Sequence, residues 1–215
     1  NALIKLYEEM VEKGIQKTDG TINKSAYNFF QLKKFRSMVK DKLSDEAIKT
    51  VLDYGSGGSD WDAPNFDSQT NQSAKEFFQI QNVDKFEPAR GLMEKKKADC
   101  VVCMDVLEHI FIEDIPKVVS ELFSLSKKLL VVNVACYKAA ALLPNGENAH
   151  ITVRGADWWK GVFDVISSNY IDIEVFLICS NTFSSGVIFK SFKFGDWAAT
   201  DGYTTNMSFQ TFQPS

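Results

Sequence analysis
The sequence predicts an α/β fold, doubly wound, with a mainly parallel sheet that ends in a C-terminal antiparallel hairpin. Three observations carry this. Apolar runs without polar alternation, KTVLDY, KADCVVCMD and KKLLVVNVA, read as strands buried on both faces of a parallel sheet. Segments with apolar residues three and four positions apart lie between such runs, which is the strand and helix alternation of layered α/β domains. The 215 residues, 45% hydrophobic and 24% charged, suit one folded core.

Taken in order, NALIKLYEEMVEKG is an amphipathic helix, followed by the turn-like TDGT. In SAYNFFQLKKFRSMVKDKL, Leu32, Phe35, Val39 and Leu43 recur at helical spacing and predict a second packed helix. KTVLDY is the first buried strand. The polar segment 59–78 is a loop running into a helix, and FQIQNVDKFEP is a strand closed by Pro88. KADCVVCMD is the central strand. IEDIPKVVSELFSL opens on acids and Pro116 and then shows Ile115, Val118, Leu122 and Leu125 on one face, a helix. KKLLVVNVA is a strand, 136–155 a long loop, and ADWWKGVFDVISSNY a helix. YIDIEVFLICS and GVIFKSFKF alternate around a short turn and form the hairpin. The expected organisation is helices in 1–45 packed on a core of 46–198, with 199–215 as a loosely held tail. The sheet is Rossmann-like but shortened between its second strand and the one at KADCVVCMD, because about a dozen residues separate Glu87 from that strand, too few for a helix and a further strand.

A net charge of −4 gives no global footprint for nucleic acid or anionic lipid. No apolar run is long enough to span a bilayer, and the N-terminal stretch lacks the order of a signal peptide, so a cytoplasmic protein is expected. Cys100, Cys103, Cys136 and Cys179 lie in or beside strand-like runs and read as buried reduced thiols. Cys100 and Cys103 have CxxC spacing, but in a strand they face opposite ways.

The chemistry concentrates at VLDYGSGGSDW, residues 51–61. Glycine after a strand lets the chain turn sharply and lets a ligand approach the backbone. No Lys-Ser or Lys-Thr follows, against a triphosphate loop, and position 60 of a dinucleotide fingerprint is Asp60, where an acid suits a pyrophosphate badly. What remains is strand-Asp-x-Gly-x-Gly, with an acid placed for a cationic group or a tight turn without ligand.

This pattern resembles the class I S-adenosylmethionine-dependent methyltransferases. VLDYGSGG matches their first motif with Asp53, Gly55 and Gly57 in register and Ser59 in place of the last glycine. KFEPA puts Glu87 where the family's ribose-binding acid stands, and CMDVLEHI is a common wording after the family's fourth strand. The resemblance covers roughly residues 25–195 and implies S-adenosylmethionine as cofactor, held by Asp53, Tyr54, Gly55, Ser56, Gly57, Glu87, Asp105 and Val106. Trp61 or Phe66, in the stretched segment after the glycines, is a candidate cover for it.

The chain has two histidines, His109 in Asp105-Val-Leu-Glu108-His109 and His150 in the loop after the next parallel strand. Both loops leave the same sheet edge, so Asp105, Glu108, His109 and His150 are expected near one cavity, as oxygen and imidazole ligands suited to a divalent metal. The run also resembles metal-dependent branches of that family, ubiquinone-pathway O-methyltransferases and small-RNA terminal 2'-O-methyltransferases, which implies Glu108, His109 and His150 as ligands of magnesium or manganese. Without metal, Asp105 and His150 are the candidate catalytic pair, His150 as base or both as orienting groups. Trp158 and Trp159 should face one inward and one partly outward, and Arg154 reads as a solvated loop charge.

The expected function is methyl transfer to oxygen or nitrogen of a small-molecule or sugar acceptor. The absence of an NPPY-type tetrad argues against DNA, the acidic charge against RNA, and no membrane partner is expected. The alternatives are a non-catalytic cofactor-binding partner protein and a metal-dependent RNA 2'-O-methyltransferase. Oligomeric state is left open.

Overall fold
The computed structural model describes residues 2–24, 27, 31–189 and 191–194, with the backbone of 204–208. Helix α1 (Ala2–Lys13) leads into two short strands, β1 (Ile15–Lys17) and β2 (Ile22–Asn23). A 3-10 turn over Gln31–Phe35 runs into α2 (Arg36–Asp45). Then come β3 (Thr50–Tyr54), a one-turn α3 (Ala74–Phe77), β4 (Asn82–Phe86), β5 (Ala98–Met104), α4 (Ile115–Leu125), β6 (Ser126–Ala135), β7 (Ala141–Leu142), α5 (Ala156–Ser167), β8 (Glu174–Ser180), β9 (Ser185–Phe189) and β10 (Thr204–Ser208).

The main sheet has seven strands in the order β10-β9-β8-β6-β5-β3-β4. The five from β4 to β8 run parallel, and β9 and β10 are antiparallel at the far edge. This is a mixed α/β fold with a mostly parallel sheet flanked by helices. Side-chain alternation along the strands feeds two cores. Cys100 and Val102 of β5 join Leu32, Phe35, Val39 and Leu43 on one face, while Val101 and Cys103 join Val119, Leu122 and Phe123 of α4 and Trp159 and Phe163 of α5 on the other. The CxxC pair is therefore split between faces, as the strand reading requires, and all four cysteines are free thiols.

β4 lies on one side of β3 and β5 on the other, so the chain reverses its direction of winding between β3 and β5. The loops after these strands diverge and leave a crevice at their carboxyl ends. The connection from Glu87 to β5 holds only a 3-10 turn over Pro88–Arg90, which leaves β4 at the sheet edge, as its length predicts.

Four expectations change. Segment 136–155 is not all loop: β7 pairs with β1, which pairs with β2, in a small three-stranded antiparallel sheet. Strands of two or three residues leave no alternation to read, and the pairing of β7 with β1 is non-local. The helix expected over 25–43 begins as a 3-10 turn, and most of its first six residues lie outside the described ones. The helix before β4 is a single turn, set by a capping box between Ser73 and Glu76. Part of the expected loose tail, Thr204–Ser208, is a strand on β9, and the rest lies outside the described residues. No helix among the described residues is long and apolar enough to cross a membrane.

Candidate functional site
The backbone after β3 turns through Gly55 (φ 75°) and Gly57 (φ 53°), a region costly for any side chain. Both glycines also answer to close packing. A Cβ on Gly55 would stand 2.4 Å from Val106 Cγ2, and one on Gly57 would stand 2.9 Å from the Tyr27 carbonyl oxygen. The amides of Gly55 and Ser56 donate to the Phe86 carbonyl, at 2.8 and 3.2 Å, so the loop is tied to the end of β4.

Asp53 is buried, and its Oδ2 accepts from Ser59 Oγ at 2.6 Å and from Trp61 Nε1 at 2.8 Å. Burial pushes its carboxyl up, against the pull of these two donors and of Lys85. The stretched segment thus folds back to hold the acid at the strand end, and Ser59 stands where a glycine would offer no donor. Trp61 and Phe66 pack in the core with Phe78 and line neither cavity of the crevice, so they do not cover it. Their large apolar area is better satisfied inside.

Two cavities meet at the glycine loop, with Tyr27, Gly55, Gly57, Asp105 and His109 in the wall of both. One, of about 270 Å³, is largely apolar, between Leu3, Ile4, Tyr7 and Val11 of α1 and Tyr54, Phe86, Val106 and Ile110. Glu87 stands at its edge, with Oε2 accepting from Gly57 N at 2.8 Å and Oε1 from Ala89 N at 3.2 Å; each oxygen keeps a lone pair for a further donor. The other, of about 470 Å³, is lined by Asp53, Ser56, Asp105, Tyr137, His150 and residues of the small sheet. Ser56 Oγ and Tyr27 Oη are buried at these walls without a hydrogen-bond partner among the described residues. A larger groove of about 630 Å³, around Asp62, Ser73 and Gln79, is an open surface depression away from the strand ends.

Beyond β5 the chain turns at Asp105, whose φ of 54° is strained for a residue with a side chain and whose amide donates to Asn133 O at 3.0 Å. Burial raises its carboxyl to about 6, moderated by the Lys34 ammonium. Next, a 3-10 turn over Leu107–His109 buries Glu108 completely. Glu108 Oε1 accepts from Ala135 N at 3.0 Å, whereas Oε2 has no partner among the described residues. Burial, and then the neighbouring Asp105 charge, hold this carboxyl well above the usual range.

The 150s loop is bonded to the same turn. Thr152 N donates to Glu108 O at 2.9 Å and Thr152 Oγ1 to Ile110 O at 2.7 Å, which brings the His109 and His150 rings to 4.9 Å, edge to face. Their tautomers follow from their partners. His109 Nδ1 lies 2.8 Å from Ala149 O and His150 Nδ1 2.5 Å from Tyr137 O. A carbonyl only accepts, so Nδ1 carries the proton in both rings and Nε2 presents a lone pair. Burial keeps both imidazoles neutral, with His109 lowered to about 3.

One potential ligand atom from each of Glu108, His109 and His150 lies within 4.8 Å of the others. A buried carboxylate oxygen without a donor beside two neutral imidazoles fits a divalent cation in composition. The four residues expected near one cavity are thus together, Asp105, His109 and His150 on its wall and Glu108 behind it. Trp159 is buried and Trp158 half-buried, both in the α5 core, and Arg154 is exposed with its guanidinium 5.9 Å from the Trp158 ring, outside both cavities.

Three participants were not legible in the sequence as site residues: Tyr7, Tyr27 and Tyr137. Tyr7 Oη lies 2.7 Å from His109 Nδ1 and donates to Ala149 O at 3.2 Å. Only its place on the apolar stripe of α1 marks it, and that reads as packing. Comparison with protein-family models, curated proteins and solved structures finds no match to this chain.

Two predictions follow from this geometry. Ser59→Gly removes one of the two donors on a buried carboxylate and should lower unfolding free energy by about 1–3 kcal/mol, read by urea denaturation; a neutral result would mean that Ser59 does not hold Asp53. Asp105→Asn tests the raised carboxyl. A folded-state value above the unfolded one means that stability declines as pH rises through the window from the ordinary carboxylate range to about 6. Asparagine tolerates the same φ and carries no charge, so the variant should exceed the wild type by about 1–3 kcal/mol at pH 8 and match it near pH 3.5. An advantage independent of pH would contradict this.

Proposed function
We propose that this chain is a Rossmann-like, S-adenosylmethionine-dependent methyltransferase that acts on a hydroxyl held at a divalent cation. The observation that carries the reading is that Glu108, whose Oε2 has no partner among the described residues, lies with His109 and His150 at the strand-Asp-x-Gly-x-Gly crevice, one ligand atom of each within 4.8 Å of the others. The cofactor would supply an electrophilic methyl group on sulfonium, and the cation would lower the pKa of the hydroxyl bound to it.

The remaining work belongs to the chain's own residues. Leu3, Val11, Phe86 and Val106 enclose the smaller cavity, whose apolar walls suit a nucleoside base, with Glu87 at its edge to accept from ribose hydroxyls. Asp53 and Ser56 border the larger cavity on the side suited to a cationic amino-acid end, and Ser56 Oγ has a proton to give. Glu108, His109 and His150 would hold the cation, Glu108 by Oε2 and each imidazole by Nε2. Ala149 O and Tyr137 O keep the Nδ1 protons in place and so fix the ring tautomers. Asp105, between the two cavities, is placed to accept a hydrogen bond from the acceptor hydroxyl and to orient it. Methyl transfer is an in-line displacement, so such positioning carries much of the rate.

This reading takes precedence over His150 alone as general base, because Glu108 Oε2 otherwise has no function in the arrangement. The larger cavity admits a small molecule or one terminal sugar.

Titration calorimetry tests both halves. Wild type should bind S-adenosylmethionine and S-adenosylhomocysteine, and Gly57→Arg should bind neither. Failure of the wild type to bind either would overturn the methyltransferase reading, and binding without turnover on any hydroxyl acceptor would favour a non-catalytic partner protein. Manganese should bind more tightly at pH 8 than at pH 6 with proton release, because the raised Glu108 carboxyl must ionise to act as a ligand while both imidazoles are already neutral. Glu108→Gln should weaken manganese by about 10-fold or more; unchanged affinity would remove the cation from the proposal.

A further inference from the structure
We propose that Tyr7 is a positioning residue that makes cofactor and cation bind cooperatively, coupling the seating of α1 over the apolar cavity to the orientation of His109. This rests on the function proposed above and concerns how its two sites communicate.

Helix α1 belongs to both sites. Leu3, Ile4, Tyr7 and Val11 fall on one helical face and form one wall of the smaller cavity. On the same helix, Tyr7 reaches past that cavity to the imidazole. The proton on His109 Nδ1 is shared between Ala149 O at 2.8 Å and Tyr7 Oη at 2.7 Å, while the Tyr7 hydroxyl proton goes to Ala149 O at 3.2 Å. Tyr7, His109 and the Ala149 carbonyl thus form a closed triangle of hydrogen bonds, next in sequence to His150. Ring contacts extend it: Tyr7 to His109 at 5.6 Å, His109 to His150 at 4.9 Å and His150 to Tyr137 at 5.6 Å.

The apolar face of the helix is divided between packing and the cavity. Leu3 and Met10 are buried in a small cluster with Leu143 and Ala149, and Leu6 and Tyr7 pack against it. Much of the apolar face that would normally fix an amphipathic helix looks into the cavity instead. A nucleoside filling that cavity would add contacts to Leu3, Ile4 and Val11, favour the seated helix and hold Tyr7 on His109 Nδ1. That hydrogen bond holds the ring by Nδ1 and so would fix where Nε2 is presented. By linkage the effect is reciprocal, and the cation should favour the cofactor by the same factor.

The test is calorimetry of manganese with the full chain, alone and saturated with S-adenosylhomocysteine, for wild type and Tyr7→Phe. The phenylalanine keeps the ring and its packing and removes only the hydroxyl. Wild type should bind manganese about 5- to 50-fold more tightly with the nucleoside present, and Tyr7→Phe should show a change within about 2-fold while still binding each ligand separately. A Tyr7→Phe variant that keeps the wild-type coupling overturns the proposal, as does a wild type that binds both ligands independently. A wild type that binds neither ligand instead defeats the function proposed above. A second reading needs no variant: the visible absorption of wild type loaded with cobalt should shift when S-adenosylhomocysteine is added, and a spectrum indifferent to it would also overturn the coupling.

Discussion
A carboxylate taken wholly out of water needs a proton, a cation or several donors, and Glu108 has an oxygen, Oε2, with no partner among the described residues. Its Oε1 is fixed on the Ala135 amide at the end of β6, and that bond sets the place of the turn after β5. From this anchor the rest of the crevice follows. The Glu108 carbonyl receives Thr152 N, which draws the 150s loop over the turn and sets His150 against His109. Val106, two residues before Glu108, closes on Gly55 so tightly that a side chain there would have to push it aside, from a strained backbone. The open valence at Oε2 is then a consequence of the fold, beside the two imidazoles, with one ligand atom of each of the three residues within 4.8 Å of the others.

The sheet makes this arrangement possible by its order. With β4 and β5 on opposite sides of β3, the loops after β3 and β5 part at the crevice instead of packing together. Gly55, Gly57 and Asp105 at the crevice all have positive φ, and of these three Asp105 alone carries a side chain in that region. A raised Asp105 carboxyl and a buried Glu108 carboxyl cost stability that an apolar core would keep. Two raised carboxyls side by side at one strand edge mark that edge as the candidate site.

Much of this was legible in the sequence because it depends on short-range pattern. Val51, Leu52, Val101, Val102, Val131 and Val132 lie in unbroken apolar runs, and such runs become central parallel strands whatever surrounds them. The glycines and the Asp105-Val-Leu-Glu-His run follow those strands directly, so their arrival at one edge could be read from position alone. What could not be read depends on distant partners. The Ser59 and Trp61 bonds to Asp53 look like loop polarity until the segment folds back. β1, β2 and β7 are too short to show alternation, and β7 exists through pairing with β1, over a hundred positions away. Tyr7 is one more aromatic on an amphipathic helix until α1 is laid against residue 109.

The most direct measurement is a crystal structure of the chain grown with S-adenosylhomocysteine and manganese, with data collected at the manganese absorption edge. The predicted result is one anomalous peak bonded to Glu108 Oε2 and to Nε2 of His109 and His150, with the adenine between α1 and Val106 and the ribose on Glu87. A nucleoside bound elsewhere, or a crevice occupied by nucleoside with no manganese at these three residues and both Nε2 atoms hydrogen-bonded within the protein, would contradict it.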